Sequence, residues 1–127
     1  MDLIGTWRLL AEVATDAAGL TQPTLFGPTP LGTVTFDRSG RMIIVVVDGR
    51  SDVPAGQRMF MAYTGRYEFD GHRLTTFTDA AASPALLATP QVRHVRFSDA
   101  DRIVLSPPPG FMGQADVRRE YTWERIG

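Results

Sequence analysis

The chain has 127 residues, of which 43% are hydrophobic and 21% charged, a composition that predicts one folded domain over residues 1–127 and excludes a disordered chain. The formal net charge is -1 and all 13 basic residues are arginine, so the sequence lacks the basic stripe of a nucleic-acid-binding protein. Cysteine is absent, which excludes disulfide bonds and thiolate metal sites.

Two features of the sequence argue against export and membrane insertion. The opening segment, Met1–Gly5, has no positive region followed by a long apolar run, unlike a signal peptide. The longest apolar run, Met42–Val47, is too short to span a bilayer. We therefore expect a cytoplasmic protein with no membrane partner.

Short β-type segments alternate with turn signals along the whole chain. Hairpin turns are predicted at Arg38–Gly40, Asp70–Gly71 and Asp99–Asp101, and Pro84–Leu87 could form one helical turn. The proline-rich segment Gln22–Pro30 is predicted to be a loop, because proline lacks the backbone donor of a central strand. The predicted strands are Thr6–Ala14, Gly32–Asp37, Arg41–Asp48, Phe60–Phe69, His72–Asp79, Gln91–Ser98, Arg102–Ser106 and Asp116–Ile126.

Eight consecutive strands joined by hairpins favour an all-β fold. We predict a single eight-stranded antiparallel up-and-down barrel, because closing the meander removes the exposed edges of the sheet. The run Ile43–Val47 is apolar at every position, which suggests a strand covered on both faces or a crowded wall of the barrel.

Alternation along each strand predicts which side chains face the interior. The predicted interior residues are mostly apolar and aromatic. They are Trp7, Leu9, Ala11 and Val13 on the first strand, Val34 and Phe36 on the second, Met61, Tyr63, Gly65, Tyr67 and Phe69 on the fourth, and Val117, Arg119, Tyr121, Trp123 and Arg125 on the last.

Six motifs follow one another in a fixed order along the chain: Gly5–Leu9 with its Gly-x-Trp opening, Phe26–Pro28, the glycine-rich hairpin Gly32–Gly40, Ala62–Tyr67, Gln91–Arg93 and Trp123–Arg125. This ordered set resembles the bacterial and fungal lipocalin-like domain family, a group of calycin-type barrels. The resemblance implies a barrel with a pocket, in which Arg125 stacks on Trp7. Two departures are a shortened segment at Gly49–Arg58 and a strand, Leu74–Thr78, without the histidines that relatives often carry.

Four polar residues on the predicted inner faces are candidate catalytic groups. Arg93 and Arg119 could hold a carboxylate or enolate oxygen of a ligand, or could instead form ion pairs with a cavity carboxylate or lie at the rim. Tyr63 and Tyr121 could donate to a ligand carbonyl, or could simply pack in the core.

Further residues are candidates for ligand contact, and Phe111–Gly113 is a candidate lid over the open end. The predicted ligand-binding residues are Phe36, Met61, Tyr67, Phe97, Phe111, Met112 and Trp123. No metal site or cofactor is expected, because His72 and His94 lack a second histidine or carboxylate at ligand spacing.

The main functional hypothesis is a barrel that binds a small, largely apolar molecule. Some bacterial calycin-like barrels serve natural-product pathways, so the resemblance extends the hypothesis to a cofactor-free cyclase or isomerase of a polyketide- or terpenoid-like intermediate. The alternatives are a carrier or sensor without catalysis and an interaction module with a filled barrel. A cavity no larger than a few water molecules would rule out the binding hypotheses and leave the filled barrel. Pairing into a homodimer stays open.

Overall fold

Eight antiparallel strands, paired in chain order and closed by the first strand against the last, form a barrel in the computed structural model, which describes residues 1–127. This confirms the predicted all-β architecture. The strands are β1 (Gly5–Thr15), β2 (Pro30–Phe36), β3 (Arg41–Asp48), β4 (Phe60–Phe69), β5 (Arg73–Ala81), β6 (Gln91–Asp99), β7 (Arg102–Ser106) and β8 (Arg118–Arg125). The helical turn is α1 (Pro84–Ala88), and two short 3₁₀ turns lie at Ala55–Gln57 and Phe111–Gly113. No helix has the length and hydropathy that a bilayer-spanning segment needs.

The two ends of the barrel differ in the length of their connections. At the hairpin end, an aspartate begins each tight turn and accepts backbone N–H bonds: Asp37 from Ser39 and Arg41, and Asp70 from His72 and Arg73. The Ser39 hydroxyl, which also donates to Asp37, and then the Arg41 N–H lower the pKa of Asp37, and the N–H groups of Arg73 and His72 lower the pKa of Asp70. The long segments 16–29, 49–59, 82–90 and 107–117 gather at the opposite end, the mouth, because up-and-down connectivity alternates the ends.

Trp7, Leu3 and Arg125 close the hairpin end. Trp7 is fully buried, and its Nε1 donates to the Leu3 carbonyl at 2.9 Å. The Arg125 guanidinium lies 4.3 Å from the centre of the indole, as the resemblance implied, and donates to the carbonyls of Asp2 and Ala100. This clasp ties the N-terminal segment and the β6–β7 turn to β8.

A β-bulge in β1 reverses part of the predicted interior. The register against β8 shifts between Leu9 and Ala11, so one extra residue enters the strand and the side-chain alternation changes phase. The prediction that Ala11 and Val13 face inward is therefore wrong. Val13 is 50% exposed, whereas Glu12 and Ala14 are buried.

Gly65 marks a second bulge, between β4 and β5. A Cβ at this position would lie 2.2 Å from the Phe77 carbonyl oxygen, so only glycine allows the two strands to approach this closely. The glycine of the Ala62–Tyr67 motif thus has a structural reason.

The outer face of β3 is uncovered, so the apolar run Ile43–Val47 is not a strand covered on both faces. Met42, Ile44 and Val46 are buried, but Ile43 and Val45 are 51% and 44% exposed. They belong to an outer apolar face formed by Leu31, Ile43, Val45 and Phe60 on β2, β3 and β4.

Replacement of Arg125 by methionine is expected to lower the free energy of unfolding by about 1–3 kcal/mol, because it removes the stacking on Trp7 and several hydrogen bonds. The matched control is Arg102→Met, whose side chain is 50% exposed and pairs with Glu124 only at 3.8 Å. That change is expected to cost less than about 0.5 kcal/mol. Urea denaturation followed by far-UV circular dichroism measures both. Equal stability of the two variants would show that the clasp contributes nothing.

Candidate functional site

The interior of the barrel holds an apolar cavity to which every strand except β1 contributes. Eleven of its twelve lining residues are hydrophobic. The lining comprises Val34, Met42, Ile44, Val46, Met61, Tyr63, Leu74, Arg93, Leu105, Phe111, Tyr121 and Trp123. The predicted convergence of alternate residues on one lumen is therefore found.

The lumen is nearly filled by these side chains. The cavity measures about 20 Å³, which is room for about one water molecule. Pockets that hold a drug-sized ligand measure roughly 300–1,000 Å³. In this conformation the lumen has no space for such a ligand and meets the criterion stated for a filled barrel, so binding requires lining side chains to move.

Arg93 is the only charged residue in the cavity lining. It lies on β6 and is 6% exposed. Its Nη1 donates to the Val92 carbonyl at 2.8 Å, whereas its buried Nη2 has no hydrogen-bond partner. Its guanidinium carbon lies 4.8 Å from the centre of the Phe111 ring. Arg93 takes part in none of the protein's eight ion pairs.

Arg119 lies beside the lumen in a different electrostatic environment. The buried Glu12 carboxylate accepts from Arg119 Nη1 at 3.0 Å and from the Tyr121 hydroxyl at 3.1 Å. The same carboxylate accepts the backbone N–H groups of Leu25 and Phe26, which anchor the β1–β2 loop over the mouth. The charge of Arg119 is thus neutralised within the protein, which is the ion-pair alternative considered for it from the sequence.

The two cavity tyrosines differ in their hydrogen bonds. Burial, and then the neighbouring Glu12 carboxylate, raise the pKa of Tyr121 well above its usual value, although the charges of Arg119 and Arg93 partly oppose this. Tyr121 is therefore a neutral donor, already engaged with Glu12. The Tyr63 hydroxyl makes no hydrogen bond within the protein, although the residue is only 3% exposed.

Six of the residues singled out from the sequence border the cavity, and five do not. Those at the cavity are Tyr63, Tyr121, Arg93, Met61, Phe111 and Trp123. Those outside its lining are Arg119, Phe36, Tyr67, Phe97 and Met112.

Depth along the barrel explains three of the residues outside the lining. The Phe36 and Tyr67 rings meet at 5.1 Å, and the Tyr67 hydroxyl donates to the Asp37 carbonyl in the β2–β3 turn. Phe97 packs at 6.2 Å on Phe69. All three face inward but belong to the hairpin end, below the cavity.

The two large side chains of the predicted lid segment lie in different environments. Phe111 reaches the cavity, whereas Met112 is 53% exposed. Met112 has φ 55°, and the flanking Gly110 and Gly113 also have positive φ. A non-glycine residue in this region costs roughly 1–2 kcal/mol, so the turn that inserts Phe111 is held under strain.

Sequence reasoning missed three polar groups. Glu12 lies between Ala11 and Val13, so the predicted inward position of those two residues implies an outward Glu12; nothing in the local sequence indicates the bulge that turns it inward. Buried Thr76 Oγ1 and Trp123 Nε1 have no hydrogen-bond partners. Trp123 was predicted as a ligand contact, but the alternation that found it does not reveal which polar atoms stay unpaired.

The buried Tyr121 hydroxyl predicts a loss of stability in alkali. The unfolded chain releases this proton above about pH 10, while the native state keeps it. The contribution of Tyr121 to the free energy of unfolding is therefore fully present below that pH and falls by about 1.4 kcal/mol per pH unit above it. Tyr121→Phe is expected to show a smaller slope, because burial raises the pKa of Tyr67 as well and leaves a residual dependence on pH. Urea denaturation of both proteins between neutral pH and about pH 11 provides the measurement. Identical slopes would contradict the assignment.

Comparison with known proteins adds the family. Residues 48–126 match the model of a family described as a lipocalin-like domain. The matched region includes the motifs Ala62–Tyr67, Gln91–Arg93 and Trp123–Arg125, whereas the Gly5–Leu9 opening lies before it. No curated protein matches the chain. Because the match covers more than half of the sequence and the fold is an eight-stranded barrel, the chain belongs to the lipocalin-like domain family.

Proposed function

We propose that this protein binds a small, largely apolar molecule in the lumen of its barrel. The main support is the lining of the cavity: eleven of its twelve residues are hydrophobic, and a single guanidinium is left without a counter-charge. Apolar walls with a few convergent polar groups are the usual construction of small-molecule sites. Lipocalin-like barrels in general suit hydrophobic ligands.

The cavity of about 20 Å³ requires that the ligand replace something. Phe111 is the lining residue that comes from a loop rather than a strand, and its turn is strained at Met112. Outward movement of this loop would vacate the space of an aromatic ring without breaking any strand pair. Met42 and Met61 add adaptability, because unbranched thioether side chains repack at low cost.

A filled interaction module is the second candidate, and the small cavity is the observation that favours it. On this reading the lumen is a core, and partners bind outside. The unpaired Nη2 of Arg93 argues against this candidate, because a buried charge without a partner destabilises a barrel whose interior is only a hydrophobic core.

The finer proposal is catalysis without a cofactor, as a cyclase or isomerase of a natural-product intermediate. It is supported by the free hydroxyl of Tyr63, the neutral Tyr121 and the guanidinium of Arg93 at one cavity. Tyr63 and Arg93 would polarise a ligand carbonyl while the walls fold a flexible substrate, and Tyr121 would join them only by exchanging its bond to Glu12 for one to the ligand. Arg119 would be a positioning residue that acts through Glu12. A carrier or sensor would use the same lumen without turnover.

The cytoplasmic location and the single domain remain predictions, and pairing into a homodimer stays open. The outer apolar face is the surface through which two copies would pair.

Replacement of Phe111 by alanine is expected to strengthen binding of a neutral apolar probe, N-phenyl-1-naphthylamine, about tenfold. The reason is that removal of a competing side chain raises the fraction of binding-competent protein. Met112→Ala is the matched control, because this neighbour in the same turn is exposed and outside the lining. Fluorescence titration gives the dissociation constants. If neither wild type nor Phe111→Ala binds the probe, the lumen proposal fails and the filled module stands.

Turnover separates enzyme from carrier. The protein purified from its own source is expected to carry a small molecule that native mass spectrometry detects. An enzyme would convert the extracted molecule on further incubation, and Tyr63→Phe would slow that conversion about 100-fold if Tyr63 is the acid. Arg96→Met, on the outer face of β6, should leave conversion unchanged. A molecule that always returns unaltered identifies a carrier and excludes the catalytic roles.

A further inference from the structure

We propose that the ligand of the lumen carries a carboxylate group, which pairs with Arg93. This inference rests on the proposed function and specifies the chemistry of its ligand. It starts from Arg93, a charged residue that is only 6% exposed and yet has no anionic partner. A buried cation without a counter-charge is unfavourable, and an anion delivered by the ligand removes that penalty.

The contrast with Arg119 shows that the fold can neutralise a buried arginine when it supplies the anion itself. Both guanidinium groups are buried, and each has one buried nitrogen without a hydrogen-bond partner, Nη2 in Arg93 and Nε in Arg119. Arg119 nevertheless has the Glu12 carboxylate at 3.0 Å. Arg93 has only the Val92 carbonyl and the face of Phe111. Of the two buried arginines, the one that lines the cavity is therefore the one without an anionic partner.

The ring of Phe111 occupies the place where the anion would sit. An aromatic face attracts a cation weakly, whereas a carboxylate offers full charge and two acceptor oxygens to the guanidinium fork. An acidic ligand would thus displace Phe111 from Arg93 and satisfy Nη2 in the same step. A neutral apolar ligand would displace the ring without compensating the charge.

The remaining lining selects the rest of the ligand. No second cation borders the cavity, so a dianionic phosphate would remain undercompensated. The other eleven side chains are hydrophobic and suit an aliphatic or polyene chain. The chemical class is therefore an apolar monocarboxylic acid.

Competition between two matched compounds tests this inference on the full-length wild-type protein. Decanoate and 1-decanol have chains of equal length and differ at the head group. At neutral pH, decanoate is expected to displace bound N-phenyl-1-naphthylamine at a concentration about tenfold lower than 1-decanol. In Arg93→Met the advantage should disappear, while 1-decanol competes as before. Arg96→Met, the exposed arginine on the same strand, should keep the wild-type preference.

The outcomes separate this inference from the proposal beneath it. Equal competition by acid and alcohol in the wild type overturns the carboxylate assignment and leaves apolar binding intact. Failure of the naphthylamine to bind, in wild type and Phe111→Ala alike, overturns the lumen site itself, and displacement by neither competitor overturns the carboxylate assignment. If Arg93→Met does not fold, Arg93→Lys serves in its place: it keeps the charge but not the fork, and should retain only part of the preference. A full preference in either Arg93 variant also overturns the assignment.

Discussion

Pairing of β1 with β8 is the interaction on which the rest of the structure depends. Without it the meander would have two open edges, and its inward faces would not share a lumen. Arg125 reinforces the closure at the hairpin end, where its guanidinium covers Trp7 and holds the N-terminal segment. Because both ends of the chain meet at this seam, residues more than a hundred positions apart form one site.

The bulge within this seam decides the electrostatics of the interior. By shifting the phase of β1, it turns Glu12 inward, where the carboxylate neutralises Arg119, bonds to Tyr121 and anchors the loop at Leu25 and Phe26. Because of this bulge, the inward-facing Arg119 forms an internal ion pair that supports the fold. Arg93, two strands away from Arg119 on β6, receives no such partner and keeps its charge available.

The filled lumen and the proposed ligand site are compatible because the filling is of two kinds. Strand residues such as Val34 and Leu105 are fixed by ladder hydrogen bonds and form the walls. Phe111 belongs to a short strained turn at the mouth and contacts Arg93 through its ring alone. A ligand therefore competes with one loop side chain rather than with the core.

Local sequence determined the turns, most strand boundaries and, through alternation, the faces of β2, β4 and β8, because these depend on neighbours along one strand. It placed Arg93, Tyr63 and Tyr121 on inner faces correctly. It did not determine their depth or partners, so Phe36, Tyr67 and Phe97 were grouped with a cavity that lies elsewhere in the barrel. The bulge, the Glu12 pair, the bare outer face of β3 and the volume left inside were decided only by the closed tertiary structure. Each depends on how distant strands register and tilt, and no short stretch of sequence encodes that relation.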